Sequence, residues 1–347
     1  MTPPRTAPSH GPLFVARWDL DKTYLRTEFD TVRDLIRTAL ESPEEKVAVP
    51  GAGPLLQALG ESGAHIHILS GSPRQLRNSV EAKLRLDKVR FDELSLKPNL
   101  SNIFRFRFRG LRDQLGYKLP ELLEGRVRIQ NASTLDPMEV LVGDDAEADA
   151  FVYCLYADIC SERVSDRELR KILSAGQVYR DLKLRTLSAA ASVRKSDCVE
   201  RILIHLDRQT PPSTFQAFGS RVVPFFNYFQ AACVLAEDGR LSCPALFDVA
   251  TVFLVRHGFD HNSLASSYLD LQRRGHTSGQ LPEQLNNAST ALDQARDPTA
   301  ADELRQMVAL MRESPSAASS RLTTPAMDYR ALARRHRGGR NRSSAAS

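Results

Sequence analysis

The sequence has no apolar run long enough to cross a membrane and no apolar stretch of the secretory-signal kind near its start. The longest apolar run, 245–255, is interrupted by Asp248, whereas a membrane-spanning helix needs about 20 predominantly apolar residues. The residues before Leu13 are polar and rich in proline, so segment 1–12 is expected to be a flexible N-terminus. We therefore expect neither a secreted nor a membrane-spanning protein.

Cysteine is too scarce and too irregularly spaced for a disulfide framework or a zinc site. The five cysteines are Cys154, Cys160, Cys198, Cys233 and Cys243. Their number is odd and no two form a Cys-x-x-Cys pair, which secreted disulfide scaffolds and structural zinc sites would require. This pattern indicates buried free thiols in a reducing compartment, and hence a cytoplasmic protein.

Outside its tail, the chain has no excess of positive charge. The formal net charge is +5, but six of the 47 Lys and Arg residues are arginines after position 329, where no acid occurs, and the other 41 nearly balance 42 acids. A nucleic-acid partner is not expected, because such proteins carry a basic surface on the fold itself. The Arg/Ser-rich tail, 314–347, is predicted to be disordered, either simply solvated or drawn to an anionic membrane.

Short apolar runs that end in polar turns alternate with helix-like segments across residues 13–164. Strands are predicted at 13–18, 65–69 and 138–142, and helices at 31–40, 55–61, 74–86 and 118–124. A further helix is predicted to open in the stretch 143–149 and to continue to residue 156. This alternation is typical of a doubly wound α/β domain with a mostly parallel sheet. Segment 104–109 alternates Phe and Arg, which predicts either a solvated edge strand or a flap whose arginines meet an anionic substrate.

From about residue 165, helical periodicity replaces the strand signals. Helices are predicted at 166–175, 179–191, 196–206, 221–235, 243–257, 263–273 and 302–312. Region 165–313 is therefore expected to be all-helical, either as a separate bundle or as an extension packed on the sheet. The sequence leaves its role and the oligomeric state open.

Acidic residues follow the first predicted strand at alternate positions. Asp19, Asp21 and Thr23 lie directly after the apolar run that ends at Trp18. Side chains two apart at the end of a strand can point the same way. Two carboxylates held together repel each other unless a cation or a shared proton lies between them. The stretch therefore favours a site for a divalent metal and a phosphate.

Further polar groups follow the other predicted strands. The turn after the second strand contains Ser70, Gly71 and Ser72, and a turn between a strand and a helix can bind phosphate through its backbone N–H groups. Lys118 begins a predicted helix, although Lys97 is an alternative for the same cationic role. Asp144 and Asp149 follow the strand at 138–142. The carboxyl ends of strands in such a sheet form the usual ligand site.

These parts are the ones that phosphoryl transfer through an aspartyl-phosphate requires. Asp19 is the candidate nucleophile, and Asp21 the candidate acid that protonates the leaving oxygen and later activates water. Lys118 is expected to balance developing negative charge. Mg²⁺ is expected to be bound by Asp19, Asp144 and Asp149, with the backbone carbonyl of Asp21.

Four motifs in this order resemble the haloacid-dehalogenase-like (HAD-like) phosphatase superfamily. They are Asp19-Leu-Asp-Lys-Thr23, Ile68-Leu-Ser70, Lys118, and Gly143-Asp144 through Asp149. Within it, Ser70-Gly-Ser-Pro-Arg-Gln-Leu76 and Gly143-Asp-Asp-Ala-Glu-Ala-Asp149 resemble the catalytic domain of actin-patch-type phosphatidate phosphatases, over roughly residues 13–160. The chain departs from that family at Lys22, where a second acid is usual, and at Asp145, where Ser is usual.

The resemblance implies a HAD-like Rossmannoid domain over 13–164 and Mg²⁺-dependent hydrolysis of a phosphomonoester. It makes a phospholipid such as phosphatidate one candidate substrate; a small soluble phosphate or a phosphoprotein is the alternative. The few residues between Asp21 and Ser70 leave little room for a large cap, which favours bulky substrates. A third hypothesis is a non-catalytic ligand-binding or scaffold module. The presence of all the motif residues together argues against it.

Overall fold

The computed structural model describes residues 13–25, 47–97, 110–294, 298–313 and 326–335. Within these ranges the protein forms one six-stranded sheet in which every neighbouring pair of strands is parallel. The strands are β1 (Phe14–Asp19), β2 (His65–Pro73), β3 (Glu93–Lys97), β4 (Met138–Asp144), β5 (Val199–His205) and β6 (Val222–Phe225). Their spatial order is β3-β2-β1-β4-β5-β6, the order of a doubly wound fold.

Helices connect the strands and extend the second half of the chain. The α-helices of the first half are α1 (Ala52–Glu61), α2 (Arg77–Leu86), α3 (Leu111–Ala132), α4 (Asp149–Cys160), α5 (Asp166–Ala175) and α6 (Arg180–Ser192). Those of the second half are α7 (Tyr228–Glu237), α8 (Cys243–His257), α9 (His261–Arg273), α10 (Leu281–Asn287), α11 (Pro298–Glu313) and α12 (329–335). Short 3₁₀ helices cover Arg74–Leu76, Pro212–Phe218 and Ser289–Gln294. None of the helices in the described ranges is long and apolar enough to cross a membrane.

The sheet is covered on both faces, which confirms the predicted doubly wound α/β class. Trp18, Ile68 and Val142 point to one face, where they pack with α1, α2 and the helices α7–α11. Leu69 and Leu141 point to the other face, where they pack with α3–α6 and α12. Because successive strand side chains alternate between faces, each apolar strand supplies both hydrophobic layers.

Two segments expected to be helical are strands instead. Residues 199–205 form β5, paired in parallel with β4, and residues 222–225 form the edge strand β6. The error has a physical cause, because Val199, Ile202, Leu203 and Leu206 repeat at the spacing of a helical face. In the fold, β5 buries four consecutive residues from Ile202 onwards, the pattern of a strand covered on both faces. The sheet therefore continues past residue 164, although the rest of 165–313 is helical as predicted.

Part of the tail is ordered, contrary to the prediction of disorder from residue 314. Residues 329–335 form α12, in which Tyr329 and Ala333 are buried. The Tyr329 hydroxyl donates a hydrogen bond of 2.6 Å to Asp158 Oδ2, and its ring meets Phe151 edge-on. The helix thus packs against α4. The predictions for 1–12, 31–40, 104–109, 314–325 and 336–347 lie outside the described residues.

A buried ionic cluster links β1, β4 and α3 near the amino-terminal end of the sheet. Glu139, which is fully buried, accepts hydrogen bonds from Arg17 Nε at 2.9 Å, Arg126 Nη1 at 3.0 Å and the Tyr156 hydroxyl at 2.6 Å. The pKa of Glu139 falls below its usual range because, although burial opposes ionisation, the guanidinium of Arg17 outweighs it. The cluster lies on elements that also carry the candidate site at the opposite strand ends.

Candidate active site

The predicted site residues converge at the carboxyl ends of the central strands. Asp19 is the last residue of β1 and Asp144 the last residue of β4, and these two strands are neighbours. The chain continues from β1 towards β2 on one side, while β4 leads to β5 on the other. This point of divergence is where ligands bind in doubly wound sheets.

Lys118 holds three carboxylates together at this point. Its Nζ lies 2.8 Å from Asp19 Oδ1, 2.5 Å from Asp149 Oδ1 and 2.8 Å from Glu147 Oε2. Asp19, Asp149 and the lysine are almost fully buried. Lys118 reaches them because α3 begins at Leu111, seven residues earlier than the helix predicted from sequence, so its first turns lie beside the carboxyl ends of the strands. The ammonium donates a hydrogen bond to Asp149 and forms ion pairs with Asp19 and Glu147.

Asp149 fixes the loop that carries Asp144. While its Oδ1 contacts Lys118, its Oδ2 accepts a hydrogen bond of 3.1 Å from the backbone N–H of Asp144. The loop is tight: a β-carbon added at Gly143 would overlap Asp149 Oδ2 and lie 2.7 Å from Asp149 Cβ. Asp144 Oδ1 in turn accepts the N–H groups of Ala146 and Glu147 at 2.6 and 3.0 Å. The absence of a side chain at Gly143 therefore allows the acids to approach one another.

A turn after β1 directs Thr23 back towards the acids. Lys22 adopts a left-handed backbone conformation with φ of 61°, which is uncommon for a residue with a side chain and often marks a functional turn. The hydroxyl of Thr23 then lies 3.4 Å from both Asp19 Oδ2 and Asp144 Oδ2. These two oxygens therefore face the same small space.

Asp21 lies against the carboxyl-terminal part of β2. The Ser70 hydroxyl donates to Asp21 Oδ2 at 2.8 Å, and the Ser72 hydroxyl lies 3.3 Å from the same oxygen. The backbone N–H of Ser72 donates to Ser70 Oγ at 2.9 Å. Ser70, Gly71 and Ser72 were predicted to form a turn after a strand ending at residue 69, but they belong to β2, which stays paired with β3 as far as Pro73 while its register shifts between Ser70 and Pro73. We call this irregular three-residue stretch the serine turn. It holds Asp21 in place through the two hydroxyls.

Burial and mutual repulsion raise the pKa of the site carboxyls. Burial raises the pKa of Asp19 and of Asp144 well above the usual value, and the neighbouring charge of Asp149 adds to the effect, while Lys118 opposes it. Burial also raises the pKa of Asp21, against the hydrogen bond from Ser70. For Lys118, burial alone would lower the pKa, but the surrounding acids raise it well above the usual value. One ammonium does not balance so many buried acids.

Asp19, Asp144 and Asp149 have the donor set and spacing of a divalent-metal site. One carboxylate oxygen of each lies within 4.8 Å of the others. Asp19 Oδ1 is buried and, within the described residues, accepts no well-aligned hydrogen bond although it lies beside Lys118. Clustered carboxylate oxygens are the ligands that Mg²⁺ prefers. These residues therefore fit a hard divalent cation. The carboxylate of Asp21 contacts the serine turn, and the contribution of its backbone carbonyl to the cation stays a prediction.

The two candidate lysines and the acids near Asp144 have different positions relative to the cluster. Lys118 contacts Asp19 directly, whereas Lys97 lies at the end of β3 on the Asp21 side. Asp145 faces away from the cluster: its carboxylate accepts the N–H groups of residues 208 and 210 beyond β5. Glu147 belongs to the site because it binds Lys118 and accepts a hydrogen bond from Gln114.

Three clefts in the described part of the chain do not contain the acidic cluster. The cleft of about 540 Å³ lies between α1, α2 and α8, and another of about 570 Å³ lies beside β6 and the end of α9. A third of about 530 Å³ lies beside α1 and the end of α2. We assign the site from its chemistry, since cleft volume alone does not identify reacting groups.

Comparisons with known proteins leave the function to be argued from this geometry. No protein-family model matches the chain, and no curated protein matches it. A solved structure described as that of DsGPDH of Dunaliella salina is similar at a TM-score of 0.26 and 12% identity. The match covers 66% of this chain and 50% of that one. A similarity of this size carries no argument about fold family or activity.

Proposed function

We propose that the protein is a Mg²⁺-dependent phosphomonoester hydrolase that works through an aspartyl-phosphate at Asp19. The observation that carries the proposal is the convergence of Asp19, Asp144 and Asp149 on Lys118, beside the turn that holds Asp21. In this proposal, the set would act as a nucleophile, an acid, a cation site and an oxyanion-binding turn that lie close together. The resemblance of the four motifs to HAD-like phosphatases supports the same reading.

In the first half-reaction, an oxygen of the Asp19 carboxylate attacks phosphorus. The bond between phosphorus and the ester oxygen breaks, and Asp21 donates its proton to that oxygen, so the product leaves as an alcohol. Burial, which raises the pKa of Asp21, helps this carboxyl to carry the required proton at neutral pH. Lys118 stabilises the ionised form of Asp19 before attack because its Nζ is only 2.8 Å away.

In the second half-reaction, water replaces Asp19 on phosphorus. Asp21, now ionised, accepts a proton from water as the water oxygen attacks the aspartyl-phosphate, and the bond between phosphorus and Asp19 breaks. The products are inorganic phosphate and the original carboxylate. Ser70 and Ser72 keep Asp21 at one position through both half-reactions because their hydroxyls lie 2.8 and 3.3 Å from its Oδ2.

The cation would be held by Asp19, Asp144 and Asp149. It would supply charge neutralisation for the nucleophile and for the phosphoryl oxygens. Thr23 limits the space between Asp19 and Asp144, because its hydroxyl lies 3.4 Å from an oxygen of each. Asp149 keeps the Asp144 loop fixed through its hydrogen bond to the Asp144 N–H.

The substrate proposal follows from the narrower resemblance. The strings at 70–76 and 143–149 favour phosphatidate, presented at a membrane surface that the basic tail contacts. Soluble phosphoesters and phosphoproteins use the same chemistry and form the second substrate class. The proposal places the enzyme in the cytoplasm, in keeping with its free cysteines.

The test measures phosphate release with Mg²⁺ by the wild-type protein, Asp19→Asn and the control Asp145→Asn. The panel contains p-nitrophenyl phosphate, sugar phosphates, nucleotides, phosphopeptides and phosphatidate in anionic liposomes. We expect Asp19→Asn to abolish release and Asp145→Asn to retain it, because the Asp145 carboxylate faces the loop after β5. Calorimetry should show Mg²⁺ binding that Asp144→Asn weakens.

Each arm of this experiment decides a different part of the proposal. Release from phosphatidate that ends at Asp19→Asn supports both mechanism and substrate. Release from soluble esters alone keeps the mechanism and discards the lipid. A chain ending at Arg335 retains α12, so loss of liposome binding in that variant assigns membrane contact to the rest of the tail. A folded wild-type protein with neither phosphate release nor Mg²⁺ binding would favour the ligand-binding module.

A further inference from the structure

A second lysine, Lys97, lies near the site on the side of Asp21. Lys97 is the last residue of β3, which pairs with β2 beside the serine turn. Its Nζ lies 3.8 Å from the position that a β-carbon on Gly71 would occupy, and Asp21 Oδ2 lies 3.9 Å from the same position. Its ammonium also lies 5.2 Å from the centre of the Tyr117 ring. Lys97 is thus held at the turn predicted to bind phosphate.

The two lysines have different electrostatic surroundings. Lys118 is committed to three carboxylates, at distances between 2.5 and 2.8 Å. Lys97 lies beside Gly71 and the ring of Tyr117. Burial lowers the pKa of Lys97, although Glu147 and Asp113 oppose that effect. An ammonium that has lost part of its hydration gains strongly from an anion placed beside it.

A phosphomonoester brings two negative charges into a pocket that is already acidic. Asp19, Asp21, Asp144 and Asp149 are all buried there. The hydroxyls of Ser70 and Ser72 point to Asp21, so a charged partner is needed on this side of the phosphoryl group. Gly71 has no side chain to separate Lys97 from the space above the turn. Lys97 is therefore positioned as that partner.

We propose that Lys97 is a substrate-binding residue whose ammonium binds an oxygen of the phosphoryl group at the Ser70–Ser72 turn, while Lys118 remains bound to the carboxylates. This inference rests on the proposed function, because it takes the turn as the place of the phosphoryl group. The oxygen that Lys97 binds is one that stays on phosphorus throughout the reaction. Its contact therefore stabilises the bound substrate, the transition state and the product phosphate to a similar extent.

The test compares full-length wild type, Lys97→Met, Lys97→Arg and the control Lys171→Met, a lysine on the exposed surface of α5. Inorganic phosphate binding in the presence of Mg²⁺ is measured by calorimetry, and KM and kcat are measured with p-nitrophenyl phosphate. Lys97→Met should weaken phosphate binding about 10- to 100-fold, the range for a charged hydrogen bond. The same change should raise KM more than it lowers kcat. Lys97→Arg should retain most of the affinity, and Lys171→Met all of it.

The outcomes separate this inference from the proposed function. Unchanged phosphate affinity and KM in folded Lys97→Met would overturn the inference even if the protein is a phosphatase. Phosphate binding that depends on Lys97 without turnover of any ester would refute hydrolysis but keep Lys97 as an oxyanion ligand. Absence of phosphate binding by the wild type would overturn the role of Lys97. A purely structural role would lower the unfolding midpoint of Lys97→Met without changing phosphate affinity.

Discussion

Replacing Gly143 with alanine should damage both the stability of the protein and its candidate site. An ideal β-carbon at this position overlaps Asp149 Oδ2 and lies 2.7 and 2.8 Å from Asp149 Cβ and Cγ. Such distances do not occur for real β-carbons, so Asp149 or the loop must move by about 1 Å. Movement of Asp149 would break its 2.5 Å ion pair with Lys118 and its hydrogen bond to the Asp144 N–H.

The magnitude follows from these two losses. Overpacking a rigid interior costs about 1–3 kcal/mol, and breaking a buried ion pair costs about 3–5 kcal/mol. Because one movement causes both, the two costs do not add in full, and we expect a loss of about 3 kcal/mol in the free energy of unfolding. A displacement of about 1 Å at the reacting groups also costs about 100-fold in rate.

Urea unfolding followed by circular dichroism measures the stability change, and phosphate release measures the rate. Gly60→Ala is the matched control, because a β-carbon there meets only Ile66 Cγ1 at 3.9 Å. Gly60 lies in α1, so its replacement should stabilise by about 0.5–1 kcal/mol. A Gly143→Ala protein as stable as the wild type would show that the approach of Asp149 to this loop is not required.

Two further predictions concern buried groups outside the site. Glu139→Gln should lower the free energy of unfolding by about 3–5 kcal/mol in a urea titration, because Arg17 and Arg126 lose their buried counter-charge. Burial lowers the pKa of His67 from 6.5 to about 4, and the charge of Arg17 adds to the effect. As the pH falls below 6.5, the imidazole therefore takes up a proton in the unfolded chain before it does so in the folded protein. The free energy of unfolding then falls by up to about 1.4 kcal/mol per pH unit between pH 6.5 and about 4. His67→Gln should remove this contribution, as measured by urea midpoints at pH 7 and 4.5.

Each of these predictions has a clear contrary result. Glu200→Gln serves as the control for the first, because Glu200 pairs with Arg240 at a partly exposed position and should cost no more than about 1 kcal/mol. Equal losses in Glu139→Gln and Glu200→Gln would contradict the argument from burial. For His67, stability curves of wild type and variant that stay parallel from pH 7 to 4.5 would show that this imidazole does not remain neutral in the folded protein.

The sequence was sufficient to predict the central strands and their site residues. β1, β2 and β4 contain short apolar runs, and Asp19, Ser70 and Asp144 follow these runs, although β2 continues past Ser70 to Pro73. Such local patterns predict the fold well because hydrophobic burial and the preferences of the polar residues favour the same structure. The chemical roles of these residues remain proposals.

The remaining features depend on contacts between distant residues. The contact of Glu147 with Lys118 joins the loop after β4 to α3, and the local sequence around either residue does not indicate it. The pairing of Arg17 with Glu139 joins residues 122 positions apart. Gln114 and Lys118, which both contact Glu147, are four residues apart and therefore lie on one face of α3. Their spacing was a weak indication that an acidic residue lies opposite them. The spacing of the apolar residues in 199–206 fits a helix as well as a strand. The segment is a strand because it pairs with β4.

The contact between α12 and α4 also bears on how the chain folds during synthesis. Tyr329 and Asp158 form a hydrogen bond across 171 positions. At a synthesis rate of about 5–20 residues per second, α4 emerges roughly 10–30 s before its covering helix. During that interval, the apolar surface around Phe151, on the helix that begins with Asp149, has no cover from residues 329–335. The nascent chain thus presents a binding surface for chaperones next to its candidate active site until the last helix docks.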